Sequence, residues 1–292
     1  MNRIKGILYA AVSSSTFGLA PFFSITLLLA GFSAFEVLSY RWGLASIVLI
    51  VFGWLSGCNF RLAGKDWGVV FLLSLLRAVT SFSLIIAYQN IASGVASTIH
   101  FMYPLAVALA MMFFFREKKS LLVILAVLMS LLGAALLSLG ELEAKSGNTM
   151  VGLVAACVSV FSYAGYIVGV RTTRAVQINS TALTCYVMGL GTIFYLIGAY
   201  CTSGLQLVSD GYTWLIILGL ALPATAISNI TLVQAIKYAG PTLTSILGAM
   251  EPLTAVVIGV FVFKELFTVN SAVGIILILL AVSIVVFRRQ KS

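Results

Sequence analysis

The sequence is poor in charge. Only 9% of its 292 residues are Asp, Glu, Lys or Arg, against 61% hydrophobic, and the mean hydropathy is +1.14. Soluble chains carry about 25% charged residues, so this much apolar surface cannot be hidden inside one water-facing fold. Lipid is the solvent that suits it. Acid is scarcer than base, with eight Asp and Glu against 17 Lys and Arg, for a formal net charge of +9. The basic residues stand singly or in short clusters between apolar runs, so no nucleic-acid partner is expected. Histidine is nearly absent, with His100 alone. Cys58, Cys157, Cys185 and Cys201 lie in or beside apolar runs without a C-x-x-C spacing, which reads as packing. There is no Gly-rich phosphate loop and no His/Cys/Asp cluster with metal spacing. That disfavours an ATP-driven pump or a membrane enzyme, and no cofactor is expected.

What is present is a succession of long apolar runs. A helix crosses the hydrocarbon core in about 20 residues. In the first half the predicted spans are Lys5–Ala30, Ser33–Ser56, Trp67–Asn90, Ser93–Phe115 and Leu121–Leu139. In the second half they are Asn148–Val170, Asn179–Cys201, Tyr212–Ile236, Gly240–Phe263 and Val269–Phe287. Arg3 and Lys5 precede the first span as they would a signal peptide. Its length and the central Ser13, Ser14, Ser15 and Thr16 predict a retained span. With the N-terminus inside, the inner loops and tails hold Arg3, Lys5, Arg61, Lys65, Arg116, Lys118, Lys119, Arg171, Arg174, Lys237, Arg288, Arg289 and Lys291. The outer loops hold only Lys145 and Lys264. This bias predicts that both termini are cytoplasmic.

The halves match each other. Met102/Met250, Pro104/Pro252, Leu105/Leu253, Phe113/Phe261, Phe115/Phe263 and Glu117/Glu265 are each 148 residues apart. Gly6/Gly152, Ala10/Ala156, Val12/Val158 and Ser13/Ser159 are 146 apart. Five spans per copy is an odd number, so consecutive copies enter the membrane from opposite faces. The expected architecture is an all-α integral membrane protein of about ten helices. Residues 1–140 and 148–288 form two inverted five-helix repeats, an arrangement typical of alternating-access transporters.

Three features resemble the EamA type of the drug/metabolite transporter superfamily: Tyr103-Pro104-Leu105 running to Arg116-Glu117-Lys118, its counterpart Glu251-Pro252-Leu253 running to Lys264-Glu265, and the Ser-rich first span broken by Pro21. The resemblance covers essentially the whole chain. It implies ten helices, cytoplasmic ends, and ATP-independent movement of small metabolites, with export favoured by the family's many exporters. Tyr103 stands where the second half has Glu251, so a role for that glutamate is not carried across the repeat.

Ionisable side chains at mid-membrane cost roughly 2.5–3.5 kcal/mol, so each needs a reason. Arg77 lies near the middle of the third span and Glu251 near the middle of the ninth. His100 lies in the outer half of the fourth, and Arg41 toward the outer part of the second, within snorkelling reach of the interface. Helical spacing puts Ala96, His100, Tyr103 and Val107 on one stripe, with Thr244, Gly248, Glu251 and Ala255 as its equivalent. Arg77, Ser81, Leu84 and Tyr88 share another, matched by Thr225, Asn229, Leu232 and Ile236. Gly240, Thr244 and Gly248 recur every fourth position, which suits close helix approach. Pro104 cannot donate to the His100 carbonyl, nor Pro252 to that of Gly248, so each predicts a free acceptor at mid-depth. Pro21 and Pro223 are further helix breakers.

The predicted substrate-binding set is Glu251, Arg77, His100, Tyr103, Tyr88, Asn229, Thr225 and Gly248, with Arg41 in second rank. Glu251 and His100 are the candidates for proton coupling. Each has a blander alternative: Glu251 in a structural pair with Arg77 or Arg41, His100 hydrogen-bonded within packing, Tyr88 and Tyr103 as ordinary aromatic filling. The expected function is a secondary transporter in the cytoplasmic (inner) membrane. It would move a small metabolite by alternating access between units lined by the third, fourth, eighth and ninth helices. Arg77 suits a carboxylate and Glu251 an amine, so amino-acid-like cargo comes first. A drug-like cation replaces it if Arg77 is locked in a pair. The expected partners are a small molecule, protons and the bilayer, for a monomer or a homodimer. The alternative function is an accessory subunit or a flippase for a lipid-linked group, which favours a groove opening sideways to the bilayer.

Overall fold

The computed structural model describes residues 2–117, 120–138, 147–202, 204–261 and 268–288. Lys118, Lys119, Lys145, Phe263, Lys264, Glu265, Arg289 and Lys291, named above, lie outside them. Every regular element among the described residues is helical. A lipid-immersed backbone has no water to bond, and helices satisfy their own amide groups. In chain order the helices are α1 (Asn2–Phe17), α2 (Ala20–Leu29), α3 (Ala34–Leu55), α4 (Trp67–Asn90), α5 (Ser93–His100), α6 (Tyr103–Phe113) and α7 (Leu121–Ser138). They continue as α8 (Thr149–Thr172), α9 (Ser180–Cys201), α10 (Gly211–Ala221), α11 (Ser228–Ala239), α12 (Pro241–Leu247), α13 (Met250–Phe261) and α14 (Val269–Arg288).

Each predicted span falls on one helix or on a broken pair. Among the described residues seven helical stretches are long and apolar enough to cross a membrane: Arg3–Leu29, Ala34–Leu55, Gly64–Asn90, Val95–Phe113, Thr149–Thr172, Ser180–Cys201 and Gly211–Ala239. Leu121–Leu136 and Ala272–Ile284 are shorter apolar helices. The surface is apolar where lipid would lie, with Ile47, Ile50, Val51, Phe52 and Trp54 of α3 exposed, while Arg41, Arg77 and Glu251 are buried.

The breaks are placed by proline. Pro21 stands in the first turn of α2, Pro104 in that of α6, and Pro252 is third in α13. There the missing N–H would have had no helical partner anyway. Pro223 acts differently: it opens a π-helical segment, Leu222–Ile227, that joins α10 to α11 without a break. The carbonyl of Gly248 is not free as its spacing suggested, because the Glu251 N–H donates to it at 2.9 Å. Gly240 also departs from expectation. Its φ of +88° is one that L side chains rarely adopt, and no neighbour crowds it. It is there for the turn between α11 and α12 and not for helix approach.

Loops assigned to the same side meet each other. At one end Thr242 Oγ1 donates to Glu117 Oε2 at 2.6 Å, Arg171 to the Lys237 carbonyl at 2.9 Å, and Lys237 Nζ to the Ile178 carbonyl. At the other end Asn148 N–H donates to Asn90 Oδ1 at 3.0 Å. There Glu36 and Tyr40 bracket Gln206: Glu36 Oε1 accepts its N–H at 2.6 Å, and the Tyr40 hydroxyl donates to its carbonyl at 2.5 Å. The most extensive helix packing joins the two halves: α4 with α8, α1 with α11, α3 with α9 and α7 with α14. A twofold relation between the halves exchanges the first two pairings and maps each of the others onto itself.

Candidate functional site

The site forms where broken helices meet unbroken ones. The α5–α6 break and the α12–α13 break touch: the Tyr103 hydroxyl lies so close to Gly248 that a Cβ there would come within 1.7 Å of it. Glycine is required by that contact. Both second halves, α6 and α13, therefore begin at the centre and direct the positive ends of their dipoles there. Glu251, 7% exposed, occupies the first turn of α13, where that dipole favours a carboxylate.

Two arginines dominate the centre. Arg77 on α4 is 1% exposed; its Nε donates to Asn229 Oδ1 at 3.0 Å and its Nη1 to Ser81 Oγ at 3.3 Å. Its guanidinium lies over the rings of Phe17, Tyr163 and Tyr166, at 5.3, 5.0 and 5.9 Å from their centroids. Arg41 on α3 is 4% exposed and turns inward, not outward to the interface as its depth suggested. Its Nε donates to Thr225 Oγ1 at 2.7 Å, and its guanidinium stands 5.4 Å from the same Phe17 ring. The π segment makes this grip. Thr225 Oγ1 donates in turn to the Leu220 carbonyl five residues back, at 2.7 Å. Asn229 Nδ2 donates to the Thr225 carbonyl at 2.8 Å, which presents its Oδ1 to Arg77. One short stretch thus holds both arginines through neutral acceptors.

No carboxylate within the described residues pairs with Arg41 or Arg77. The structural lock between Glu251 and an arginine is therefore absent, although the Arg77 charge reaches Glu251 and the two guanidinium groups sense each other. Arg41 Nη2 is buried without a hydrogen-bond partner, as are His100 Nε2, Tyr166 Oη and Thr244 Oγ1. Buried polar atoms without a partner are expensive in a membrane interior.

His100 ends α5 and is 3% exposed. Its Nδ1 lies 2.8 Å from Ser159 Oγ, which itself donates to the Ala156 carbonyl at 2.6 Å. That assigns the ring proton to Nδ1 and leaves Nε2 as an acceptor. The ring stacks on Tyr163 at 5.3 Å, and Tyr163 meets Tyr103 edge-on at 4.6 Å. Of the predicted set the structure brings together Arg77, Asn229, Thr225, Arg41, His100, Tyr103, Gly248 and Glu251. Tyr88 stands apart. It packs with Leu84, Ala87, Ile91 and Ala96 toward the end of α4, with its hydroxyl 3.3 Å from Ser97 Oγ.

Phe17, Ser159, Tyr163 and Tyr166 belong to the site and were not singled out from sequence. The last three share one face of α8 at helical spacing. Ser159 was in view only as the repeat partner of Ser13, whose hydroxyl donates to the Ser228 carbonyl at 2.8 Å.

Comparison with known proteins agrees with this architecture. The EamA-like transporter family matches residues 4–139 and again residues 150–287. An uncharacterized transporter of Archaeoglobus fulgidus is 28% identical over 238 residues, covering 80% of this chain and 83% of that protein. A solved crystal structure superposes with a TM-score of 0.80 at 18% identity, over 100% of this chain and 99% of that one, a likeness of fold. The two successive matches span nearly all of a multi-pass helical membrane protein, and the chain belongs to the EamA-like transporter family.

Proposed function

We propose that the protein is a secondary transporter that exports a small amino-acid-like metabolite across the cytoplasmic membrane. Its ten spans form two inverted five-helix units with both ends cytoplasmic, and the units rock about the buried centre by alternating access. The observation that carries this reading is the set of ionisable groups at mid-membrane, Arg41, Arg77 and Glu251, with no ion pair between them. The arginines receive an acid group and Glu251 an amine, or a proton when the site is empty. A cationic cargo fits poorly, because it requires Arg77 to be neutralised by a carboxylate and Arg77 is held by Asn229 and Ser81 instead.

One observation bears on the lipid-linked alternative. A cavity of about 420 Å³ lies between α3 and α9, lined by Ser39, Gly43, Ser46, Ile47, Gly189 and Thr192, with Ile47 exposed to lipid. Trp42 is fully buried against Gly191 and stacks edge-on with Tyr195 at 5.1 Å, filling the interface such a cargo would cross. The groove therefore supports a lipid cargo less well than the centre supports a small polar one.

The test is uptake of a pooled metabolite library into proteoliposomes, with and without an imposed pH gradient. One class of metabolite is expected to accumulate. Arg77→Gln and Glu251→Gln should each cut its flux by at least about tenfold, as removal of a charged partner does in a dry site. Unchanged flux in both variants would overturn the roles assigned to them.

A further inference from the structure

The charges at the centre do not balance. Arg41 and Arg77 share the Phe17 ring at 5.4 and 5.3 Å, yet all their described partners, Thr225, Asn229 and Ser81, are neutral. Neutral acceptors satisfy N–H groups but cancel no charge, and an uncompensated buried charge is strongly unfavourable. Among the described residues Glu251 is the carboxylate whose field reaches Arg77, and when ionised it offsets one of the two charges. A zwitterion with a single acid group brings no net charge, so it leaves one guanidinium uncompensated while the core crosses the low-dielectric region. A second acid group removes that deficit.

Geometry agrees with the count. Arg41 Nη2 is a buried donor without a partner. The Nε edge of Arg41 is tied to Thr225, so the free edge of its fork is what remains for a planar oxyanion. The α6 and α13 dipoles point their positive ends at the same region. His100 Nε2 and the Glu251 carboxylate, with the Tyr166 and Thr244 hydroxyls able to donate or accept, are left for an ammonium group.

Resting on the transport reading above, we infer that the cargo carries two oxyanion groups and a net negative charge, one group facing Arg41 and the other Arg77. With its ammonium toward Glu251, such a molecule brings the centre to neutrality. Carboxylate and phosphate ester share the recognising chemistry, and both are forked by guanidinium.

The full-length protein in detergent is titrated with glutamate, phosphoserine, glutamine and glutarate, reading thermal stabilisation. The same four compounds are offered to proteoliposomes for flux. Glutamate or phosphoserine is expected to bind at least about tenfold more tightly than glutamine, which keeps the size and loses the second charge. Whichever of the two is stronger names the oxyanion. Arg41→Gln should abolish that preference while glutamine binding persists, and Arg41→Lys, which keeps charge without the fork, should retain part of it. Equal binding of glutamate and glutamine, or a preference untouched in both Arg41 variants, overturns the inference. If none of the four binds while the pooled library yields another transported class, the inference falls and the transport reading stands. Tight binding of a two-acid compound without flux of any compound overturns the transport reading, and with it the role of that compound as cargo.

Discussion

The third and eighth predicted spans occupy equivalent places in the two halves, yet they are built differently. α4 runs unbroken from Trp67 to Asn90 and carries Arg77. Its counterpart is widened by the π segment Leu222–Ile227 and carries Thr225 and Asn229 at the positions of Arg77 and Ser81. One half supplies the cations, and the other supplies Thr225 and Asn229, the neutral acceptors of both Nε atoms. The wider turn is what lets Thr225 reach back five residues while still receiving Arg41. The repeated scaffold is thus conserved in outline while its chemistry is divided, with Arg41, Arg77 and His100 in the first half and Glu251 in the second. An asymmetric site of this kind suits the asymmetric cargo proposed above.

The sharpest way to break this comparison is at the crossing of the two discontinuous spans. Gly248→Ala places a methyl group within 1.7 Å of the Tyr103 hydroxyl, and overpacking of this kind should cost about 3 kcal/mol. The drop in melting temperature in detergent reports it. Adding Tyr103→Phe should recover only part, because the ring carbon Cζ would still lie at 2.9 Å. Next comes the π segment. Thr225→Val keeps the shape but removes the acceptor for Arg41 Nε, and should lower stability by about 2 kcal/mol. Its mirror test is Ser81→Ala in α4, which removes a longer 3.3 Å bond from an arginine that keeps Asn229 and three rings; a loss under about 1 kcal/mol is expected. Equal losses at the two positions would erase the proposed division of labour.

The smallest effect lies at the start of α10. The Thr213 N–H donates to Asp210 Oδ2 at 2.7 Å, and this bond holds the Asp210 carboxyl below the usual carboxylate range. A lowered folded-state pKa contributes stability above the unfolded value and loses it as pH falls through the folded one. Asp210→Asn should therefore flatten slightly the acid end of the melting curve against pH. An identical acid limb in both proteins would show that the cap is not felt.

Much of the fold was legible because its determinants are local. Hydropathy over some twenty residues and the position of a proline need no knowledge of neighbours, so Trp67–Asn90 was placed to the residue and the breaks at Pro21 and Pro104 were anticipated. The mid-membrane charges were legible for the same reason, since an arginine among apolar residues stands out wherever it ends up. Pro223 was less so: whether a proline breaks a helix or widens it into a π turn depends on what the freed groups find, here Thr225 and Arg41.

The sequence by itself determined the membrane class, the run of helices, the repeat and the ionisable groups that must be explained, because each follows from periodicity and transfer free energy along one segment. Only the tertiary structure decided how those groups meet. Arg41 turns inward, and Phe17, Tyr163 and Tyr166 close around Arg77. Those outcomes depend on how each helix is rotated against partners from the other half of the chain, and helix rotation is set by packing between segments that no single stretch of sequence encodes.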